Sequence, residues 1–430
     1  MKENLDRSHY DNNYSHGPGR SSGGKHFGLG LLTGVLVALF LMGGIYVAVQ
    51  FVNLAGAMRG NQQAGGEEKN QSAATDQLLQ KMGVVEEIID RYFYREDVDK
   101  QAMMEGALEG MVASLGDIYS EYYTVEELSA LISDIQGIYY GIGAYVSMDT
   151  TVGLAKISGT IEGAPAEEVD IRENDYIYAI DGNETYGKTL DEVVSEIKGP
   201  EGSKVTITLL RSGEYLDVEV ERRLVEAPTV NYEMHDGGIA YIQITEFSEV
   251  TVDQFAAALT SAREDGMKGL ILDLRSNPGG SLNAVVEIGK QILPKGLIVY
   301  TEDKNGKRLE YSSDGKKKLD VPLVVLINGN SASASEILAG AIKDYEMGTL
   351  LGTTTYGKGV VQQAISLSDG SAVKLTISTY YTPKGISIHG TGIEPDEECI
   401  FDGERYYSEE QYDNQLERAK ELMSEMIAEN

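Results

Sequence analysis

VPLVVLINGNSASASEILAGAIKDY, residues 321–345, holds a strand, a tight turn and a helix within one short stretch. VPLVVLI is an unbroken apolar run closed by turn residues, the pattern of a strand buried on both faces. Asn328-Gly329-Asn330 is turn chemistry, and ASEILAGAIKDY has helical spacing. Ser333 therefore falls at a helix N-terminus, where free amides and the helix dipole favour developing negative charge. The same residues, Ser333-x-x-Glu336, also spell a capping box. This segment alone allows either a cap or a nucleophile.

Outward from this stretch, strands and helices alternate from about Pro228 to Pro395. GIAYIQI (238–244) and GLILDLR (269–275) read as strands and LNAVVEIGKQIL (282–293) as a helix. The alternation predicts an α/β core with a largely parallel sheet. Asn277-Pro278-Gly279-Gly280 follows the carboxyl end of a strand, where such sheets bind ligands, and its glycines let a substrate approach the backbone. Gly279 N–H and Ala334 N–H are the candidate oxyanion donors.

A serine nucleophile needs a base. The chain has five histidines, and of these only His235 and His389 lie in the C-terminal half, neither in a triad-like segment. Lysine can serve when burial lowers its pKa from about 10.4. Lys358 sits in Tyr356-Gly357-Lys358-Gly359-Val360-Val361-Gln362, between two glycines that permit close backbone packing. A lone G-K-G is also a common exposed turn. If the chain is extended here, Gln362 faces the same side as Lys358 and can orient its amine.

Residues from Gly137 to about Arg223 have a different texture, with short strands and one helix. KVTITLL (204–210) and YLDVEVE (215–221) form a predicted hairpin through Arg211-Ser212-Gly213-Glu214. Tyr140-Gly141-Ile142-Gly143-Ala144 is followed by EGAPAEEVDIRENDYIYAIDGNETYG and the helix LDEVVSEIKG. This set resembles a PDZ domain. The resemblance makes Gly141, Ile142 and Gly143 the carboxylate-binding loop, Ala164-Pro165-Ala166 the start of a short helix, and Asp175–Gly182 a strand and turn. PDZ domains capture C-terminal peptides as an added strand. A PDZ fold kept only for architecture is the alternative, and Ala144 departs from the bulky apolar residue of many PDZ loops.

Phe27 to Met58 contains no Asp, Glu, Lys or Arg. Its apolar centre, Leu29–Val52, is long enough to cross a bilayer as one helix. Lys2, Arg7, Arg20 and Lys25 precede it and only Arg59 closely follows, which predicts a cytoplasmic N-terminus. Ala55-Gly56-Ala57 offers cleavage as the alternative to a retained anchor. Net charge is −32, which argues against nucleic-acid binding. The single cysteine, Cys399, excludes an intrachain disulfide.

The order of a PDZ domain, LRSNPGG, SASASE and YGKGVVQ resembles the carboxy-terminal processing peptidases, or tail-specific proteases. The likeness runs from about residue 80 to 400 and includes GALEGMVASLGDIYSEYYTVEEL. It implies Ser333 as nucleophile, Lys358 as base, Gln362 as its helper, and Gly279 and Ala334 as oxyanion donors. Ser331 and Ser335 are close enough in sequence to be mistaken for the nucleophile. It also implies a core related to crotonase and Clp protease, no metal or organic cofactor, and a homodimer. The expected fold is therefore multi-domain α/β. It comprises a disordered cytoplasmic tail (1–26), a transmembrane anchor (27–58), a linker (59–75) and a helical region (76–136). A PDZ domain (137–225), a protease core (226–400) and a C-terminal helix (401–430) follow. The helical region could be a membrane-proximal spacer or a dimer surface. The expected function is a membrane-anchored serine endopeptidase acting on extracytoplasmic proteins with exposed C-termini or unfolded segments. The rivals are a PDZ scaffold on an inactive core and a crotonase-like acyl-group enzyme.

Overall fold

The computed structural model describes residues 67–429. The expected tail and membrane anchor lie outside the described residues. Among the described residues, no helix is long and apolar enough to cross a membrane. The chain divides at Asp99 into two compact units.

In the first unit, α1 spans Glu67–Tyr92 and exposes Leu78, Leu79, Met82, Val85 and Ile88. Residues 67–75, expected as linker, belong to this helix. That stretch has no glycine or proline to stop helical propagation.

The second unit opens with α2 (Lys100–Ala113), β1 (Glu121–Tyr123) and α3 (Val125–Gln136). The expectation of helix throughout 76–136 is thus corrected at β1. Gly116, at φ 72°, lies in the turn that ends α2, and Glu121-Tyr122-Tyr123 then pairs antiparallel with Lys374, Val373 and Ala372.

The PDZ-like module contains β2 (Ile138–Gly141), β3 (Ala144–Asp149), β4 (Leu154–Thr160), α4 (Pro165–Glu168), β5 (Tyr176–Ile180) and β6 (Asn183–Glu184). It continues with α5 (Leu190–Ile197), β7 (Lys204–Arg211), β8 (Glu214–Glu221) and β9 (Arg223–Glu226). Its main sheet runs β3-β4-β5-β7-β8, so β3 is an edge. Ile157, Ile177, Val193, Ile207 and Leu209 fill the core between sheet and helix. Arg211 pairs with Glu214 across Ser212 and Gly213, both at positive φ, which gives the predicted hairpin a type I′ turn. The short β2–β9 ribbon returns the chain beside its point of entry.

The core begins with β10 (Val230–His235), β11 (Ile239–Ile244), α6 (Glu249–Glu264), β12 (Gly269–Asp273) and α7 (Leu282–Ile292). Next come β13 (Gly296–Asp303), β14 (Arg308–Ser313), β15 (Leu323–Ile327), α8 (Ala334–Asp344) and β16 (Thr349–Gly352). The chain ends with β17 (Val360–Ser366), β18 (Ala372–Tyr381), β19 (Glu397–Glu398), α9 (Gly403–Tyr406) and α10 (Asn414–Glu429). The main sheet has the order β10-β11-β12-β15-β16-β19, parallel except for β10. Every residue of β12 and β15 is buried, the apolar ones as their runs require and Asp273 with bonds from Tyr241 and Arg275.

One face of this sheet buries Phe255, Leu259, Val285, Ile288 and Leu338 of α6, α7 and α8. The other face buries Ala419 and Met423 of α10 against Ile271, Val324 and Leu326. The C-terminal helix is therefore a layer of the core and begins at Asn414, not 401. Arg275 locks it there: its guanidinium bonds Asp273, Asp413 and Gln415 and is 13% exposed. Burial raises the Asp413 pKa, but hydrogen bonds from Arg275 and two backbone amides outweigh it, so the net shift is downward. A second sheet holds β1-β18-β13-β14, with β17 also paired to β18.

Candidate active site

β15 delivers the chain to the carboxyl edge of the sheet, and Asn328–Ala332 turns it into α8. Ser331 and Ser335 are fully buried. Ser331 Oγ donates to Leu274 O (2.8 Å) and Ser335 Oγ to Asn277 O (3.0 Å), fastening the turn to the Asn277–Gly280 loop. Ser333 alone of the three is partly exposed and lines a cleft of about 350 Å³. Its backbone has φ 54° and ψ −111°, near the first central position of a type II′ turn that normally takes glycine. Such a conformation costs roughly 1–3 kcal/mol and persists only when its surroundings fix it. Here Ser333 N–H donates to Glu336 Oε2 (2.8 Å) and Ser333 O accepts from Tyr380 OH (3.0 Å). The Glu336 N–H donates to Ser333 O (2.9 Å), so the Ser333 hydroxyl is at most a loose second acceptor for that amide.

Glu336 is the residue that sequence reasoning placed only as a cap. Its side chain is fully buried and four donors satisfy it. Oε1 accepts from Thr355 Oγ1 (2.6 Å) and Gly357 N–H (2.7 Å), and Oε2 accepts from Ser333 N–H and Lys358 N–H (2.9 Å). One carboxylate thus joins the serine turn to the lysine loop.

The two glycines around Lys358 permit the close packing expected of them. Gly357, at φ 89°, lies against the Thr391-Gly392 backbone, and a Cβ on Gly359 would sit 2.7 Å from His389 N. Lys358 is half buried, and its Nζ lies 4.7 Å from the centroid of the Tyr119 ring. Burial lowers its pKa first and the Lys374 charge second, while Glu121, Asp117 and Glu336 act in the opposite direction. No hydrogen bond joins its amine to Ser333 among the described residues.

Two expectations are corrected by the local geometry. Lys358 lies in the loop before β17, so strand parity does not relate it to Gln362, and the β17–β18 register shifts between Val361 and Gln362. Gln362 Nε2 donates to Thr376 Oγ1 (3.2 Å) instead. Gly279 N–H is taken by Asn277 Oδ1 (2.8 Å). Gly279 nevertheless packs directly on the serine turn, since a Cβ there would lie 2.7 Å from Ser333 Cβ. Ala334 begins α8, and its amide is one of the first-turn N–H groups that a helix leaves unbonded.

Leu131 and Ile135 of α3, Ile337, Val361 and Tyr380 give the cleft apolar walls. In the PDZ-like module, Gly141, Ile142 and Gly143 head a groove of about 80 Å³ between β3 and α5, with Val146, Val194 and Ile197 along it. Gly143 has φ 72°, and a Cβ there would collide with Ala164. A free strand edge beside such a groove is what β-strand addition uses.

Fold and site together define a serine peptidase that carries a PDZ domain. Residues 238–399 match peptidase family S41, residues 156–211 a PDZ domain, and residues 38–127 the activating protease CtpB N-terminal domain. The chain is 34% identical over 366 residues to a probable CtpA-like serine protease of Staphylococcus aureus (strain MSSA476), covering 84% of this chain and 71% of that one. It is 34% identical over 366 residues to a carboxy-terminal-processing protease of Bartonella bacilliformis, covering 83% and 81%. The solved photosystem II D1 C-terminal processing protease is 30% identical, with 73% of this chain and 86% of that one covered and a TM-score of 0.45. The chain belongs to peptidase family S41, among the carboxy-terminal processing serine proteases.

Proposed function

We propose that this protein is a membrane-anchored endopeptidase that captures the C-termini of extracytoplasmic proteins and cuts them through a Ser333/Lys358 acyl-enzyme mechanism. A C-terminal segment adds to β3, with its carboxylate at the Gly141–Gly143 loop and its last side chain between β3 and α5. An unfolded stretch of the same substrate lies in the cleft. Ser333 Oγ attacks the scissile carbonyl, and its proton passes to neutral Lys358 Nζ. The carbonyl oxygen becomes an oxyanion near Ala334 N–H. Collapse of the tetrahedral adduct breaks the C–N bond, and the Lys358 proton leaves with the new amine. Water then attacks the acyl-enzyme with Lys358 again accepting a proton. The Lys358 side chain must swing from Tyr119 toward Ser333 for this to occur, and Gln362 must leave Thr376 to assist it. Capture at the PDZ groove is a natural trigger, so a bulky residue at Gly143 should slow cleavage of protein substrates.

The observation that carries this reading is the Glu336 carboxylate, which holds the backbones of Ser333 and Lys358 together while the partly exposed Ser333 lines the cleft. The anchor rests on the uncharged Phe27–Met58 run and the basic residues before it. The test is incubation of the protein with an unstructured protein substrate, with fragments followed by mass spectrometry. Cleavage should be lost in Ser333→Ala and in Lys358→Ala, by at least ~10³-fold each. Cleavage that survives Ser333→Ala in a contaminant-free preparation would refute the assignment.

A further inference from the structure

Lys374 is a second amine at the same site. It lies on β18 and lines the cleft with Ser333. It stands opposite Glu121 in the β1–β18 register and opposite Ala364 in the β17–β18 register. Its side chain is 22% exposed, and its Nζ contacts Glu121 Oε2 and Tyr123 OH, both at 2.6 Å. The Tyr123 ring centroid lies 5.0 Å from it. Tyr119, whose ring meets the Lys358 amine, is only four residues before Tyr123, a span of at most about 14 Å. One short segment therefore touches both amines. No step of the proposed reaction uses Lys374.

The groups facing Lys358 come from every element around it. Asp117 and Tyr119 precede β1, Glu121 lies on β1, Glu336 on α8 and Lys374 on β18. Tyr356 belongs to the lysine's own loop and, after burial, helps to raise the Tyr119 pKa. His389 packs on Gly359, whose N–H donates to its Nδ1 (3.3 Å). Burial is the first influence against a proton on Lys358, and of these groups Lys374 is the cation that adds to it. The carboxylates work the other way, and Glu121 is the one that also pairs with Lys374.

We propose that Lys374 is a positioning residue for the reaction: it repels the proton that Lys358 must shed to act as base, and Glu121 sets how much of that repulsion Lys358 feels. This rests on the reading of Lys358 as base. Paired amines in a partly dry site are a general way to free one of them for chemistry at moderate pH. The geometry makes the charges separable, because Glu121 reaches the Lys374 amine directly while no hydrogen bond ties Lys374 to Lys358.

The sign follows from the charges. Activity rises with pH as Lys358 loses its proton, so the acid limb of kcat/KM tracks its pKa in the free enzyme. Removing the Lys374 charge also leaves Glu121 without its cation, holding only the Tyr123 hydroxyl, and both changes stabilise the protonated amine. Removing the Glu121 charge leaves the Lys374 repulsion unopposed. Loss of one nearby charge felt through an intermediate dielectric is expected to move the limb by roughly 0.5–1 pH unit.

The experiment measures kcat/KM against pH for the full chain with fluorescein-labelled β-casein. Lys374→Met should move the acid limb to higher pH, Glu121→Gln should move it to lower pH, and Lys374→Arg should restore the native limb. A purely structural role would lower the plateau without opposite shifts. Limbs that coincide for the native chain, Lys374→Met and Glu121→Gln, or that move in the same direction, would overturn the proposal. If Lys374→Met does not fold, the isosteric Glu121→Gln decides the sign alone. Lys358→Ala separates the two readings. Activity retained there rejects Lys358 as base, whereas its loss together with unmoved limbs rejects only the role of Lys374.

Discussion

Thr189–Glu192 and Ser333–Glu336 share one sequence pattern at the head of a helix, and the structure uses them differently. At α5, Thr189 has φ −72° and ψ 162°; its Oγ1 accepts from Glu192 N–H (3.3 Å), and Glu192 Oε2 accepts from Thr189 N–H (2.7 Å). Both halves of the box are made, and the hydroxyl is consumed by the helix. At α8, the glutamate half persists, but the Ser333 backbone is turned to positive φ and the Glu336 N–H bonds Ser333 O (2.9 Å), which leaves the hydroxyl at most a loose share of that amide. Thr189 is held by its own helix. Ser333 is held by Glu336, by Tyr380 and by close contact with Gly279, which together keep a strained residue in place. A capping motif whose hydroxyl is withheld from the cap is a structural sign of a nucleophile, and it resembles the strained strand-to-helix turns that present serine in other hydrolases.

The contrast can be broken at Glu336. Glu336→Ala removes the acceptor for four donors and should cost about 4 kcal/mol in denaturant unfolding, with loss of cleavage. Retained stability and activity would mean that the carboxylate does not hold the site. A smaller effect is expected at Ser335, whose hydroxyl only fastens the turn to Asn277 O. Ser335→Ala should lose about 1–2 kcal/mol of stability and keep most activity, which would sharpen the distinction between buried and reactive serines. The smallest effect is at the ordinary cap: Thr189→Ala should cost about 1 kcal/mol and leave the chemistry at Ser333 untouched.

Much of the fold was legible because local pattern and burial agree. The runs that became β12 and β15 are apolar apart from Asp273 at the end of β12, and they lie in the middle of a parallel sheet. The β7–β8 hairpin was legible in Ser212-Gly213, which accommodate the positive φ of its turn. β1 was not, because Glu121-Tyr122-Tyr123 becomes a strand only by pairing with β18, far away in sequence. At the site, residue identity was readable but partnership was not. Glu336 joins Ser333 to Lys358 only once the loop after β16 folds back, and Gln362 meets Thr376 through a register shift that no spacing rule foretells. Gly279 was read as an oxyanion donor; it packs on the serine turn, but its N–H is directed by Asn277, a partner that no spacing shows.

The most direct test is labelling with a fluorophosphonate, which phosphonylates activated serines with loss of fluoride, followed by peptide mapping of the modified residue. Modification is expected at Ser333 and should be strongly reduced in Lys358→Ala. Modification at Ser331 or Ser335, or a cleaving preparation that leaves Ser333 unlabelled, would contradict it.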